Sequence, residues 1–93
     1  MPCLTTLEFP DVDQRRYEAL DARLASSGPP PGVIFHACAA IPGGWRIVEL
    51  WESQAAFDTF VENRLLPAVR ALAWPEPSRR ECVPTHHAGL VRR

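Results

Sequence analysis

The chain of 93 residues contains no lysine: all ten of its basic residues are arginine. That excludes Schiff-base chemistry and a lysine general base, because arginine stays protonated and is a poor nucleophile. Cysteine is scarce and odd in number, at Cys3, Cys38 and Cys82, with no CxxC spacing. Neither a disulfide framework nor a zinc site is implied, and three thiols in a reducing cytoplasm are the simpler expectation. No apolar run approaches the ~20 residues that cross a bilayer. The first ten residues, MPCLTTLEFP, lack the basic and apolar regions of a signal peptide. The formal net charge is only −1, with both signs scattered. Without a basic stripe to neutralise phosphates, a nucleic-acid partner is not expected. A chain this short makes one domain, taken as residues 1–93, with a small core and little stability in reserve.

What is present is an apolar strand pattern of an unusual kind. PCLTTLEF has the threonines and alternation of a strand over Cys3 to Phe9, closed by Pro10. Asp11 followed by Gln14 reads as a helix start, and Val12, Tyr17, Leu20 and Leu24 form the apolar stripe behind it. Gly28 ends that helix, and the GPPPG connector leads to a strand, VIFHACAAI. Pro42-Gly43-Gly44 turns the chain into an antiparallel return, WRIVELW, through a loop of three or four residues that leaves the register open. Ser53 caps a second helix carrying Phe57, Phe60, Val61, Leu65, Ala68 and Leu72, which Pro67 should kink or break. After the WPEPS loop, RRECVPTHHAGLV supplies a last strand that Pro84 confines to an edge or a bulge. The order strand–helix–strand–strand–helix–strand predicts the ferredoxin-like α+β fold, with two helices on one face of a four-stranded antiparallel sheet.

In GGWRIVELWESQAAF, Trp45, Ile47, Glu49 and Trp51 fall on one side of the strand, and Arg46, Val48, Leu50 and Glu52 on the other. The preceding strand, read as central, opposes Val33, Phe35, Ala37, Ala39 and Ile41 to Ile34, His36, Cys38 and Ala40. An antiparallel sheet with one wet face alternates apolar and polar residues, and this one does not. The economical cover for the second face is another copy of the chain around a two-fold axis, so a homodimer is expected. A standard interface of about 1,600 Å², roughly 60% apolar, yields on the order of 20 kcal/mol before association costs.

The hairpin GVIFHACAAIPGGWRIVELWES, the helix SQAAFDTFVENRLLPAV and the element order resemble the dimeric α+β barrel superfamily, particularly its antibiotic biosynthesis monooxygenase-like branch. The resemblance covers nearly the whole chain. It implies pairing of two ferredoxin-like subunits and a pocket between sheet and helices. It covers cofactor-free monooxygenases, haem-degrading enzymes, polyketide cyclases and isomerases, so it does not choose an activity. Trp51 matches the strand-end tryptophan that lines the pocket in monooxygenase and haem-degrading relatives. The haem-degrading relatives place a histidine on the second helix, and residues 53–73 contain none. The quinone-forming relatives add Asn, Tyr and Arg, for which this chain has a single asparagine, Asn63, and a single tyrosine, Tyr17.

Glu49 shares a face with Trp45 and Trp51. Enclosure by aromatics penalises a carboxylate's charged form and would let it shuttle protons near neutral pH; the alternative is a structural ion pair with an arginine. His36 is either a hydrogen-bonded core residue or, if the register sets it beside Glu49, half of an acid/base couple. His86 and His87 are adjacent and have no third ligand, so they form no metal motif; His86 is a candidate pocket residue. The candidate set is therefore His36 and Glu49 as catalytic groups, with Trp51, Trp45, Tyr17, Phe57 and His86 holding substrate. No metal and no organic cofactor is expected, and the ligand would be a flat, hydrophobic, oxygenated molecule of aromatic or polyketide type. The leading expectation is a cofactor-independent monooxygenase. The alternatives are a cyclase, isomerase or dehydratase working by proton transfer, or a non-catalytic binding dimer.

Overall fold

A computed structural model describes residues 1–91. Its strands are β1 (Cys3–Pro10), β2 (Val33–Ile41), β3 (Gly44–Trp51) and β4 (Arg79–Pro84), and its first helix is α1 (Gln14–Ala25). The second helical stretch consists of α2 (Gln54–Phe60), a π-helical segment over Val61–Leu65, and α3 (Leu66–Ala71). The strands form one antiparallel sheet in the order β2-β3-β1-β4, the ferredoxin-like arrangement. β2 is thus an edge strand, not the central one expected from its apolar composition. Its apolar residues reflect an uncovered face rather than burial between neighbours.

Local chemistry accounts for most boundaries. The cap of α1 is Asp13, not Asp11: its side chain accepts from the Arg16 backbone N–H at 2.8 Å. Asp11 instead sits in the left-handed turn before it, at φ 60°, with its N–H donating to the Gly43 carbonyl. Ser53 caps α2 through the Ala56 N–H, as its position suggested. The break associated with Pro67 falls one turn earlier, where the Leu66 N–H reaches the Val61 carbonyl across a π turn. Pro67 lies in the first turn of α3, where its missing N–H costs least. β4 ends at Pro84, so His86 and His87 lie beyond the sheet in exposed chain rather than in a strand.

The hairpin is tighter than expected. Ile41 pairs with Gly44, which leaves Pro42-Gly43 as a two-residue turn, with Gly43 at φ 77°. Proline followed by a left-handed glycine suits a type II turn, and it fixes the register by itself. A β-bulge at Ile34 then places Val33 opposite Trp51 and His36 opposite Glu49. Val33 and His36 consequently share a face, which simple alternation does not give.

The helices cover the face that carries Leu7, Phe9, Trp45, Ile47 and Trp51, and these pack with Leu20, Phe57, Phe60, Val61, Leu65 and Val69 in one core. Arg80 of β4 pins α2 and the π segment to the sheet by pairing with Asp58 (3.0 Å) and Glu62 (2.7 Å). The opposite face is bare. Phe35, Leu50, Leu4 and Val83 cross it in one apolar row, followed by Ala37, Val48, Thr6 and Glu81. The last row is charged, with Glu8 held between Arg46 (2.7 Å) and Arg79 (3.4 Å).

Gly44 marks the tightest backbone approach, since a Cβ there would overlap the Phe9 carbonyl oxygen. We expect Gly44→Ala to destabilise the fold by about 2–3 kcal/mol, read as a lower urea midpoint at unchanged slope.

Candidate functional site

The register of the hairpin brings one row of polar side chains together on the helix-covered face. His36, Glu49 and Thr5 lie side by side across β2, β3 and β1. Glu49 is 6% exposed, and both of its carboxylate oxygens are used. Oε2 lies 2.8 Å from His36 Nδ1, and Oε1 accepts from the Trp51 indole N–H at 3.3 Å. The Thr5 hydroxyl donates to the Glu49 backbone carbonyl and ties the row to β1. A buried carboxylate persists only when paired in this way.

His36 links that carboxylate to the first helix. Its Nε2 is 2.9 Å from the hydroxyl of Tyr17, whose ring stacks on Trp45 with centroids 5.2 Å apart. In the neutral imidazole, Nδ1–H donates to Glu49 and Nε2 accepts from the tyrosine O–H. The Glu49 hydrogen bond raises the His36 pKa above its usual 6.5, against the opposing effect of burial. Burial, reinforced by the neighbouring Cys38, pushes the Tyr17 hydroxyl well above its ordinary value, so it remains a donor at neutral pH. The result is a continuous chain, Tyr17–His36–Glu49–Trp51, that runs from helix to sheet.

The chain opens on a cavity of about 400 Å³, lined on one side by Tyr17, His36 and Glu49 and elsewhere mainly by apolar residues such as Leu20, Leu24, Val33 and Phe60. It lies between α1, the π segment and the β2–β3 half of the sheet. Of the sequence-derived candidates, His36, Glu49 and Tyr17 meet at this cavity. Trp51, Trp45 and Phe57 do not line it. Trp51 and Phe57 are fully buried behind it, and Trp51 packs on both Phe57 and Phe60 while holding Glu49. Trp45 supports Tyr17 from below. His86 is exposed in the chain after β4 and takes no part.

The cavity also contains groups that strand alternation did not single out: Asp21, the Gly28–Pro30 connector, Phe60 and Arg64. Asp21 follows Tyr17 by one helical turn, a spacing that sequence alone could have flagged. Arg64 follows Phe60 by four positions, a helical spacing that sequence could likewise have flagged. Among the described residues, no group of three or more histidine, cysteine or acidic side chains is placed to hold a metal ion. The Cys82 thiol, pushed up to about 11 by burial and by the adjacent Cys3, is a weak nucleophile.

Neither a protein-family model nor a curated protein matches the sequence significantly. Solved structures do match. A protein from Chloroflexus aurantiacus J-10-fl, provisionally assigned as an antibiotic biosynthesis monooxygenase, aligns with a TM-score of 0.64 over 96% of this chain and 98% of its own, at 16% identity. SnoaB, a cofactor-independent oxygenase from Streptomyces nogalater, aligns at 0.65 over 94% of each chain with 16% identity. The NE2512 protein of Nitrosomonas europaea, of unknown function, aligns at 0.67 over 99% of this chain and 96% of its own, with 15% identity. The chain shares the ferredoxin-like α+β fold of these structures. At these identities the likeness extends to the fold, and the same backbone serves proteins with and without an assigned reaction.

The His36–Glu49 pair sets a measurable sign. Because the folded pKa of His36 lies above its unfolded value, the pair's contribution to stability is complete below about pH 6.5 and fades as pH rises through the folded value. We expect NMR titration of the imidazole to give a midpoint above 6.5 that falls in Glu49→Gln. An unchanged midpoint would show that the carboxylate does not govern the histidine.

Proposed function

We propose that this chain is a small enzyme that removes a proton from a hydroxylated aromatic or polyketide-like molecule, with His36 as the base and Glu49 as its partner. The observation that carries this reading is the meeting of Tyr17, His36 and Glu49 at the wall of a mostly apolar cavity. Glu49 orients the imidazole and stabilises the imidazolium that forms when Nε2 accepts the proton. Tyr17, which remains protonated, would turn from Nε2 as the substrate hydroxyl takes its place and donate to the oxygen that becomes anionic. Trp51 and Trp45 lie outside the cavity wall and serve by fixing Glu49 and Tyr17.

The leading outcome is oxygenation without a cofactor, as in SnoaB, a cofactor-independent oxygenase. The anion left after deprotonation is electron-rich enough to react with O₂ itself. One oxygen atom becomes a ring carbonyl and the other leaves as water, with both hydrogens of the oxidised carbon and four electrons supplied by the substrate. The raised His36 pKa supports a second outcome, because a partly protonated imidazole at neutral pH also serves as an acid in cyclisation, isomerisation or dehydration. A binding dimer without turnover is the third.

With 1,8-dihydroxyanthrone as probe, we expect oxygen uptake that increases with pH through the His36 midpoint and drops by about 10²- to 10⁴-fold in His36→Ala. Equal rates in wild type and His36→Ala would remove the assignment. Conversion without oxygen consumption would move it to the proton-transfer reading, and binding without conversion to the binder.

We also infer that two copies pair through the bare sheet face, where Phe35 and Leu4 are 53% and 43% exposed in an apolar row. The unpaired state of Cys3, Cys38 and Cys82 supports placing the enzyme in the cytoplasm. Light scattering after size-exclusion chromatography should report a dimer at micromolar concentration and a monomer for the Leu4→Asp/Phe35→Asp double variant. A monomeric wild type would remove the dimer.

A further inference from the structure

The cavity is electrically lopsided. Its acid/base end holds Tyr17, His36, Glu49 and Asp21, and the remaining charged group on its wall is Arg64. Arg64 is anchored at the other end of α1, where both of its hydrogen bonds leave from Nη2, to the carbonyl oxygens of Gly28 (2.7 Å) and Leu24 (3.4 Å). Its guanidinium lies over the Phe60 ring, 5.6 Å from the centroid. None of the ion pairs among the described residues includes Arg64, and its Nε is shut off from solvent without a hydrogen-bond partner among them.

Carbonyl dipoles and a ring face hold a cation in position but do not neutralise it. A half-enclosed guanidinium without a counter-ion is an incomplete arrangement, and a carboxylate oxygen is the anionic acceptor that the remaining Nη1 donors suit. The spacing is also informative. Leu24, one of the Arg64 anchors, is seven residues beyond Tyr17 in α1, or about 10 Å along the axis at ~1.5 Å per residue. Fused aromatic rings of about that length would reach from one end to the other.

We propose that the cavity takes a flat, hydroxylated aromatic acid, with its hydroxyl at His36 and Tyr17 and its carboxylate on Arg64. This rests on the proton-transfer reading of the site and adds the substrate's second anchor. Asp21 sharpens the orientation, since a carboxylate placed at the His36 end would face Asp21 and Glu49 and be repelled. Arg64 is on this reading a specificity-determining residue, remote from the proton that moves.

The test compares 6-hydroxy-2-naphthoate with its methyl ester, which keep one ring system and hydroxyl and differ in the charged end. Binding is measured by calorimetry. A charge-assisted hydrogen bond of this kind corresponds to about tenfold or more in affinity. Wild-type protein should therefore bind the acid at least about tenfold more tightly, Arg64→Lys should keep part of that preference, and Arg64→Met should lose it. The wild-type comparison stands even if Arg64→Met fails to fold. Equal affinities for acid and ester in wild type, or a preference that survives Arg64→Met, would overturn the Arg64 assignment while leaving the His36–Glu49 reading in place. Binding of neither compound would overturn both.

Discussion

The contact between Glu49 and His36 is the constraint to which the other features of the site answer. A carboxylate with 6% exposure is tolerable only if its oxygens are occupied by donors, and here the imidazole and the Trp51 indole occupy them. That arrangement requires β2 and β3 to pair in one register. The two-residue Pro42-Gly43 turn sets it from one end, and the bulge at Ile34 adjusts it at the other. A slip of one residue would turn His36 onto the bare face and leave the carboxylate beside Phe35 or Ala37. The turn is therefore as much a part of the site as the residues that touch the cavity.

The two ends of the helix-covered face are used differently. At one end, Phe9, Trp45 and Trp74 fill the space densely, with Phe9 and Trp74 edge to face at 5.1 Å. At the other, the π segment and the proline-rich connector stand away from the β2–β3 hairpin and leave room for a ligand. The π turn lies just before Pro67, where the Leu66 N–H reaches the Val61 carbonyl, and Arg64 within it lines the cavity. Aromatic residues that a strand pattern marks as pocket walls thus become the rigid support behind it.

The fold was legible because its signals are local and mutually consistent. Two capped helices, a proline–glycine turn and four β-rich segments in one order admit few topologies. Pairing Glu49 with His36 was legible only as one of two registers, because the length of a glycine-rich turn cannot be counted from sequence. What alternation misled is equally specific. It placed Trp51 and Trp45 on the correct face but could not tell a cavity wall from the layer beneath it. It read β2 as central because an uncovered face and a buried one have the same composition. It extended β4 through His86, although Pro84 removes the donor that pairing would need. Arg64 escaped notice because the apolar stripe of the second helix leaves it out, although it lies four positions beyond Phe60.

The energetics of so small a chain bear on the reading of the site. At ~0.05–0.15 kcal/mol per residue, a domain of this size holds about 5–14 kcal/mol of net stability. A cavity of about 400 Å³ and the buried polar side chains of Thr5 and Glu49 are both departures from the dense apolar packing that would stabilise it most. Filling the space with leucine and replacing the histidine–carboxylate pair by apolar residues would give the same fold a firmer core. The bare face offers a compensating source: pairing through Leu4, Leu50, Phe35 and Val83 would add burial on the side of the sheet remote from the cavity. On that view the sheet separates two tasks. One surface would supply stability through association, and the other would then be free to hold an open cavity and a proton-transfer chain that a self-sufficient monomer of this length could ill sustain.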